Sequence, residues 1–228
     1  MPIEELGIIP QVSAVIVNYN AGPWLLQSVI SALTQVQQVI IVDNASQDES
    51  LTLVEAQFSN NERVVVIRAE NNHGFAVACN LGASRVTTPL ILFLNPDCLL
   101  QPLAIPRLVD VLKQNSEVGM VGGLLTDELG VEQRGGRRAI PTLRHALLNL
   151  FGLSRFFGDF NLHKQPLPEA PMEIEAISGA MMLVRREVFI AVKGFDEKYF
   201  LHCEDLDLCM QICQQGWKIY FVPDAVEI

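Results

Sequence analysis

The order of elements predicts an α/β fold built on an open, mainly parallel sheet with helices on both faces. Three observations carry this. Val12 to Tyr19, Gln38 to Asn44, Val64 to Ala69 and Pro89 to Leu94 are β-rich and apolar on both faces, as strands buried between two layers are. Helical stretches separate them, giving a βαβαβαβ order. Each strand also ends in polar residues: Asn18-Tyr19-Asn20, Asp43-Asn44, Asn71-Asn72-His73-Gly74 and Asn95-Pro96-Asp97. In such sheets a ligand cleft lies at the carboxyl ends of the strands.

Taken in order, the first strand hands over to a helix whose first turn suits Pro23. After the second strand, Ser46-Gln47-Asp48-Glu49 has the spacing of a capping box that opens the next helix. Phe75 to Val86 follows the third strand, and Pro102 to Asn115 follows the fourth. Near the far end, Phe200 to Gly216 reads FLHCEDLDLCMQICQQG. Leu208, Cys209, Ile212 and Cys213 recur at helical spacing there, and Gly216 ends the helix. Glu204, Asp205 and Asp207 crowd its first turn, where the helix dipole favours acids. Capping explains one carboxylate better than three.

Half of the 228 residues are apolar, enough for one large domain with a two-sided core. The net charge of −10 argues against a nucleic-acid partner, because duplex binding leans on a basic face. The five cysteines form no CxxC pair and are expected to be reduced and buried. MPIEELGIIP lacks the basic start of a signal peptide, and no run reaches the ~18 apolar residues of a membrane span. The expectation is a cytoplasmic protein. Neither GxGxxG nor GxxxxGK occurs, so a phosphate ligand needs another counter-charge. Asp97 can provide it by holding a divalent cation, although Asn-Pro-Asp is equally ordinary turn chemistry.

Eight blocks in order resemble family 2 glycosyltransferases, particularly the rhamnosyltransferase-like branch. They are Val12 to Asn20, Val42 to Ser50, Glu70 to Ser84, Leu92 to Leu100, Asp127 to Pro141, Ser178 to Phe189, Gly194 to Cys209 and Gly216 to Ala225. The resemblance implies a GT-A, Rossmann-like fold across residues 1–228, with a nucleotide-binding half at 11–115 and an acceptor-binding half at 116–228. It also implies inverting transfer from a nucleotide-sugar donor (dTDP- or UDP-linked, with dTDP-rhamnose a candidate) to a saccharide or lipid-linked acceptor, helped by Mg²⁺ or Mn²⁺. The alternative is a related module that binds the nucleotide sugar without turnover.

By the same resemblance, Asp97 is the metal ligand, with Asn95 in the first position of the motif. Asp43 recognises the uracil or thymine base, or else caps the helix after it. The backbone around Val17 and Asn18 and the side chain of Asn20 line the nucleotide, while Asn72 borders it and, with Asn80, fixes loops. Asp205 is the base that takes the acceptor's proton, and Glu204 orients it or touches the acceptor. His202 is an acceptor candidate or a half-buried neighbour. Two departures stand out. Gln211 replaces an Arg of many relatives, and relatives place a His just beyond Ile228, where a continuation of the chain is expected.

Residues 134–157 hold five of the sixteen basic residues and no acid. Pro141 and Gly152 bracket a short amphipathic stretch suited either to packing on the sheet or to resting on the inner face of the plasma membrane. In the second case Arg137 and Arg138 meet acceptor phosphates.

Overall fold

The computed structural model describes residues 8–140 and 162–228. Its elements in chain order are β1 (Ile9–Asn18), α1 (Trp24–Leu33), β2 (Val36–Asp43), α2 (Ser50–Phe58), β3 (Val64–Arg68), α3 (Phe75–Ala83), β4 (Leu90–Leu94), α4 (Ala104–Gln114) and β5 (Val118–Leu125). After them come β6 (Arg137–Arg138), β7 (Met172–Ile174), β8 (Ala176–Ile177), β9 (Met181–Arg185), α5 (Arg186–Ala191), α6 (Glu204–Gln214) and β10 (Lys218–Glu227). No described helix is long and apolar enough to cross a membrane.

One sheet runs through both halves in the order β3-β2-β1-β4-β9-β5-β10-β7. The pairs among β3, β2, β1 and β4 are parallel, as is β5 with β10. β9 is antiparallel to β4 and β5, and β7 is antiparallel to β10. The double-sided apolar runs now have a cause. In β1, Val12, Ala14 and Ile16 enter one core with α1 and α4, while Val15 and Val17 enter a second core with α3, α5 and α6. β4 divides the same way, Leu90, Leu92 and Leu94 against Ile91 and Phe93, because side chains of a strand alternate between faces. α3 lies so close to β1 that a Cβ on Gly82 would collide with a methyl of Val15.

Phe93, Phe189 and Phe195 form an aromatic cluster with centroids 5.0–5.7 Å apart. Such pairs contribute about 0.5–1.5 kcal/mol each beyond the area they bury. The cluster anchors the segment leading into α6, and Asn80 reinforces it. Its Nδ2 donates to the Phe195 carbonyl and its Oδ1 accepts from the Phe195 amide, both at 3.0 Å, which is the loop-fixing role expected of Asn80.

Two expectations need correction. The capping box does not form: α2 begins at Ser50 with Glu49 at its N-cap and no side-chain cap bond. Ser46 is drawn away because its hydroxyl accepts from Asn18 and from the Asn20 amide. Among the cysteines, Cys79, Cys98 and Cys209 are buried and all five are free, but Cys203 is exposed.

Glu227, in β10, is almost fully buried, and one of its carboxylate oxygens has no partner among the described residues. Burial pushes its pKa up to about 8, with the Asp97 charge adding to the rise. A carboxyl whose folded pKa lies above its unfolded value stabilises the fold fully below the unfolded value and loses that contribution as pH rises through the folded one. We therefore expect Glu227→Gln, which cannot ionise, to raise the Tm relative to the parent at pH 8.5 and to change it little at pH 4.5. Thermal melts at the two pH values check this.

Candidate active site

The carboxyl ends of β1 to β4 are joined to the start of α6 by a ring of hydrogen bonds. At the end of β1, Asn18 is fully buried, and its Nδ2 donates to Asp43 Oδ1 (2.7 Å), Ser46 Oγ (3.0 Å) and Ser50 Oγ (2.8 Å). Asp43 Oδ2 accepts the Ser46 amide at 3.3 Å. Beside it, Asn44 Nδ2 donates to Asn72 Oδ1 (2.8 Å) and the Gly74 carbonyl (3.2 Å), while Asn44 Oδ1 accepts the His73 amide. Asn72 Oδ1 also takes the Gly74 amide at 3.0 Å, so its side chain fixes the loop after β3.

That loop carries the ring to α6. The Phe75 amide donates to the Phe200 carbonyl at 2.9 Å. The contact depends on Gly74, which has φ +89°, and a Cβ there would stand 2.5 Å from the Phe200 carbonyl oxygen. His202 and Cys203 follow, both in the left-handed region, and α6 starts at Glu204. Asp205 Oδ2 accepts the Gly179 amide at 3.0 Å, and Oδ1 accepts the Leu206 amide at 2.8 Å. Next to Gly179, the Ala180 carbonyl accepts the Asn95 amide at 2.9 Å, which returns the ring to the end of β4. Ser28 of α1 donates to the Asn95 carbonyl from below.

The expected site residues thus gather on one edge of the sheet, with different degrees of access. Asp97 is exposed and enters no ion pair with a described residue. Asn95 is half-buried, and its described bonds are made by its backbone. Asp43 is 6% exposed and already holds two bonds, one of them a turn contact. The Asn18 side chain serves Asp43 and the Val17 side chain is buried, so only their backbone is left for the nucleotide role expected of them. Asn20 is exposed, with φ 55° and its Oδ1 on the Gln47 amide. Asn18 is the residue whose weight the sequence understates: it is the knot that orients Asp43, and losing it would strand a buried carboxylate at a cost of about 1–3 kcal/mol.

Around the α6 terminus the three acids differ. Glu204 is buried, one of its oxygens lacks a described partner, and burial raises its pKa. Asp205 is partly exposed. Asp207 accepts from Gln211 along the helix, so Gln211, where the resemblance leads one to expect an Arg, is spent on its own helix. His202 is exposed rather than half-buried.

Arg137 requires a correction. Its guanidinium is buried, pairs with both oxygens of Glu132 at 2.7 Å, and lies 5.3 Å from the centre of the Phe221 ring. It is unavailable to a phosphate. β6 and β8 form a two-stranded ribbon in which Arg137 faces Ile177 and Arg138 faces Ala176, so alternation sends the two arginines to opposite sides. Arg138 turns to the site and pairs with Asp205 Oδ2. The rest of the basic stretch, from residue 141 with Arg144 and Arg155, lies outside the described residues.

A cavity of about 660 Å³, lined by Thr88, Pro89, Lys113 and Arg186 among others, opens at the amino ends of the strands and holds none of these groups. The polar ring, not the volume, marks the site.

The site can take a divalent cation only sparingly. No group of three or more His, Cys, Asp or Glu residues among those described could hold a metal. An exposed Asp97 outside any described ion pair still fits a cation that draws its remaining ligands from water and a diphosphate, since Mg²⁺ commonly binds through one or two carboxylates plus substrate phosphates.

Known proteins resemble the chain in sequence and in fold. The model of the glycosyl transferase family 2 matches residues 13–192. The N-acetylglucosaminyl-diphospho-decaprenol L-rhamnosyltransferase of Mycobacterium tuberculosis (strain ATCC 25618 / H37Rv) is 28% identical over 228 residues, covering 92% of this chain and 73% of that protein. Rhamnosyltransferase WbbL of Escherichia coli (strain K12) is 26% identical over 137 residues, 58% of this chain and 49% of its own. Among solved structures, GalNAc-T7 with UDP, GalNAc and Mn²⁺ superposes with a TM-score of 0.72 at 20% identity, over 96% of this chain and 43% of that one. The mannosyltransferase PcManGT from Pyrobaculum calidifontis, in complex with GDP-Man and Mn²⁺, gives 0.66 at 16% identity, over 98% of this chain and 57% of that one. The chain therefore spans about half the length of these two structures, and the likeness establishes the GT-A fold. With a family match over most of its length, the chain belongs to glycosyl transferase family 2.

Proposed function

We propose that this glycosyltransferase moves a sugar, with inversion, from a dTDP- or UDP-linked donor to a saccharide or lipid-linked acceptor in surface-polysaccharide synthesis. The observation that carries the reading is the convergence of Asp43, Asp97 and Asp205 on one hydrogen-bonded edge of the sheet. Residues 11–115 supply the donor side and 116–228 the acceptor side. The rhamnosyltransferase relatives, one of which is named for a diphospho-decaprenol acceptor, support the substrate classes. Mn²⁺ in the solved neighbours supports a divalent cation.

In this reading Asp43, held still by Asn18, accepts the imide proton of uracil or thymine. Asp97 and the donor's diphosphate hold Mg²⁺ or Mn²⁺, which when bound neutralises charge on the leaving group. Asp205 takes the acceptor hydroxyl's proton as that oxygen bonds to the anomeric carbon and the bond from that carbon to the nucleoside diphosphate breaks. Buried Glu204, one oxygen of which has no partner among the described residues, receives a sugar hydroxyl.

Asp43→Ala is expected to weaken dTDP and UDP at least ~10-fold while pyrophosphate affinity changes little, since the lost bond goes to the base. Isothermal titration with each ligand tests this. Equal losses for nucleotide and pyrophosphate would assign Asp43 to the turn alone.

A further inference from the structure

The carboxylate read as the base is almost fully occupied. A carboxylate has about four lone-pair sites. On Asp205, Oδ2 accepts Arg138 Nη2 and the Gly179 amide, and Oδ1 accepts the Leu206 amide. One site on Oδ1 is left. The donors that occupy the others are themselves rigid. Gly179 follows β8, Leu206 lies in the first turn of α6, and Arg138 Nη2 also donates to the Ile177 carbonyl at 3.1 Å. Arg138 and Asp205 are both largely shielded from water, at 16% and 13% side-chain exposure, so the pair is less screened than a surface ion pair.

We propose that Arg138 is a positioning residue for the base: it pins Oδ2 so that the last free site on Oδ1 points at the acceptor hydroxyl. This rests on the reading of Asp205 as base. The partner is chosen by the backbone, because the β6–β8 ribbon gives Arg138 to the site and its neighbour Arg137 to Glu132. The guanidinium also carries a buried Nε–H with no partner among the described residues. That leaves a donor at hand for an acceptor oxygen next to the reacting hydroxyl. A group acting in this way alters the rate at which bound substrate reacts and leaves donor affinity alone.

Water can stand in for an unidentified acceptor. The test measures hydrolysis of dTDP-rhamnose and UDP-N-acetylglucosamine, with Mn²⁺, by the parent and by Arg138→Ala, Arg138→Lys, Asp205→Asn and the Arg138→Ala/Asp205→Asn double variant. Arg138→Ala is expected to lower kcat by ~10- to 10²-fold, the scale of an ångström's misplacement, with KM for the donor unchanged. Arg138→Lys should recover part of the loss. The double variant should be no slower than Asp205→Asn, because two residues that act as one unit are not additive. An Arg138→Ala kcat equal to the parent's, a raised KM at unchanged kcat, or additive losses would each overturn the positioning role while leaving Asp205 as base. Absence of hydrolysis in the parent, or full hydrolysis by Asp205→Asn, would instead overturn the reading beneath it. If Arg138→Ala fails to fold, Arg138→Lys carries the same comparison, and a kcat for it no lower than the parent's would overturn the proposal.

Discussion

Asp205→Asn is expected to lower sugar transfer by ~10² or more while donor affinity stays within about twofold, because the change removes a proton acceptor and keeps the side chain's size. Asn can still accept hydrogen bonds through its oxygen, so the Gly179 or Leu206 amide remains partly satisfied and the α6 terminus keeps its shape. What it cannot do is hold the acceptor's proton as the glycosidic bond forms. Steady-state rates with donor and acceptor, beside donor titrations, separate the two effects. Full turnover would move the base to Glu204, whose raised proton affinity and oxygen without a described partner make it the next carboxylate in line.

Much of this site could be read from residues, and the reason is the sheet. Parallel strands are buried on both sides, so the last apolar residue of each marks where the ligand edge starts, and Asp43 and Asp97 sit just there. The crowding of Glu204, Asp205 and Asp207 into one helical turn was legible because a cap needs only one acid. The β9 insertion was not. Met181–Arg185 is four apolar residues and an arginine, too short for periodicity to distinguish strand from helix, and its antiparallel pairing depends on partners far along the chain. The fates of Arg137 and Arg138 were hidden for a related reason. Adjacent in a glycine-rich stretch, they gave no hint of a two-residue strand that would send one to Glu132 and the other to Asp205. The capping-box spacing misled because a local rule lost to a tertiary one: the Ser46 hydroxyl bonds to Asn18, 28 residues away.

The second large effect is expected at Asp97. Asp97→Ala should abolish the cation-dependent part of donor binding and leave the Tm of the free protein within a degree or so, since an exposed strand-end carboxylate outside any described ion pair contributes little to stability. Its neighbour is the contrast: Cys98 is buried, with its thiol 3.4 Å from Glu227, so a change there would disturb packing as well as charge. Titration of dTDP or UDP with and without Mn²⁺ reads the effect. Unchanged cation-dependent affinity in Asp97→Ala would leave Asn95-Pro96-Asp97 as a turn and nothing more.

The central claim is that this edge of the sheet is a cation-assisted nucleotide-sugar site. Thermal unfolding of the parent chain with dTDP- and UDP-sugars, each with and without Mn²⁺, tests it most directly, because a ligand bound by the folded state alone raises the Tm as its concentration passes Kd. The account predicts a concentration-dependent rise for at least one of these donors that needs Mn²⁺ and is lost in Asp97→Ala and Asp43→Ala. No rise with any of them, or one that persists unchanged in both variants, would contradict it.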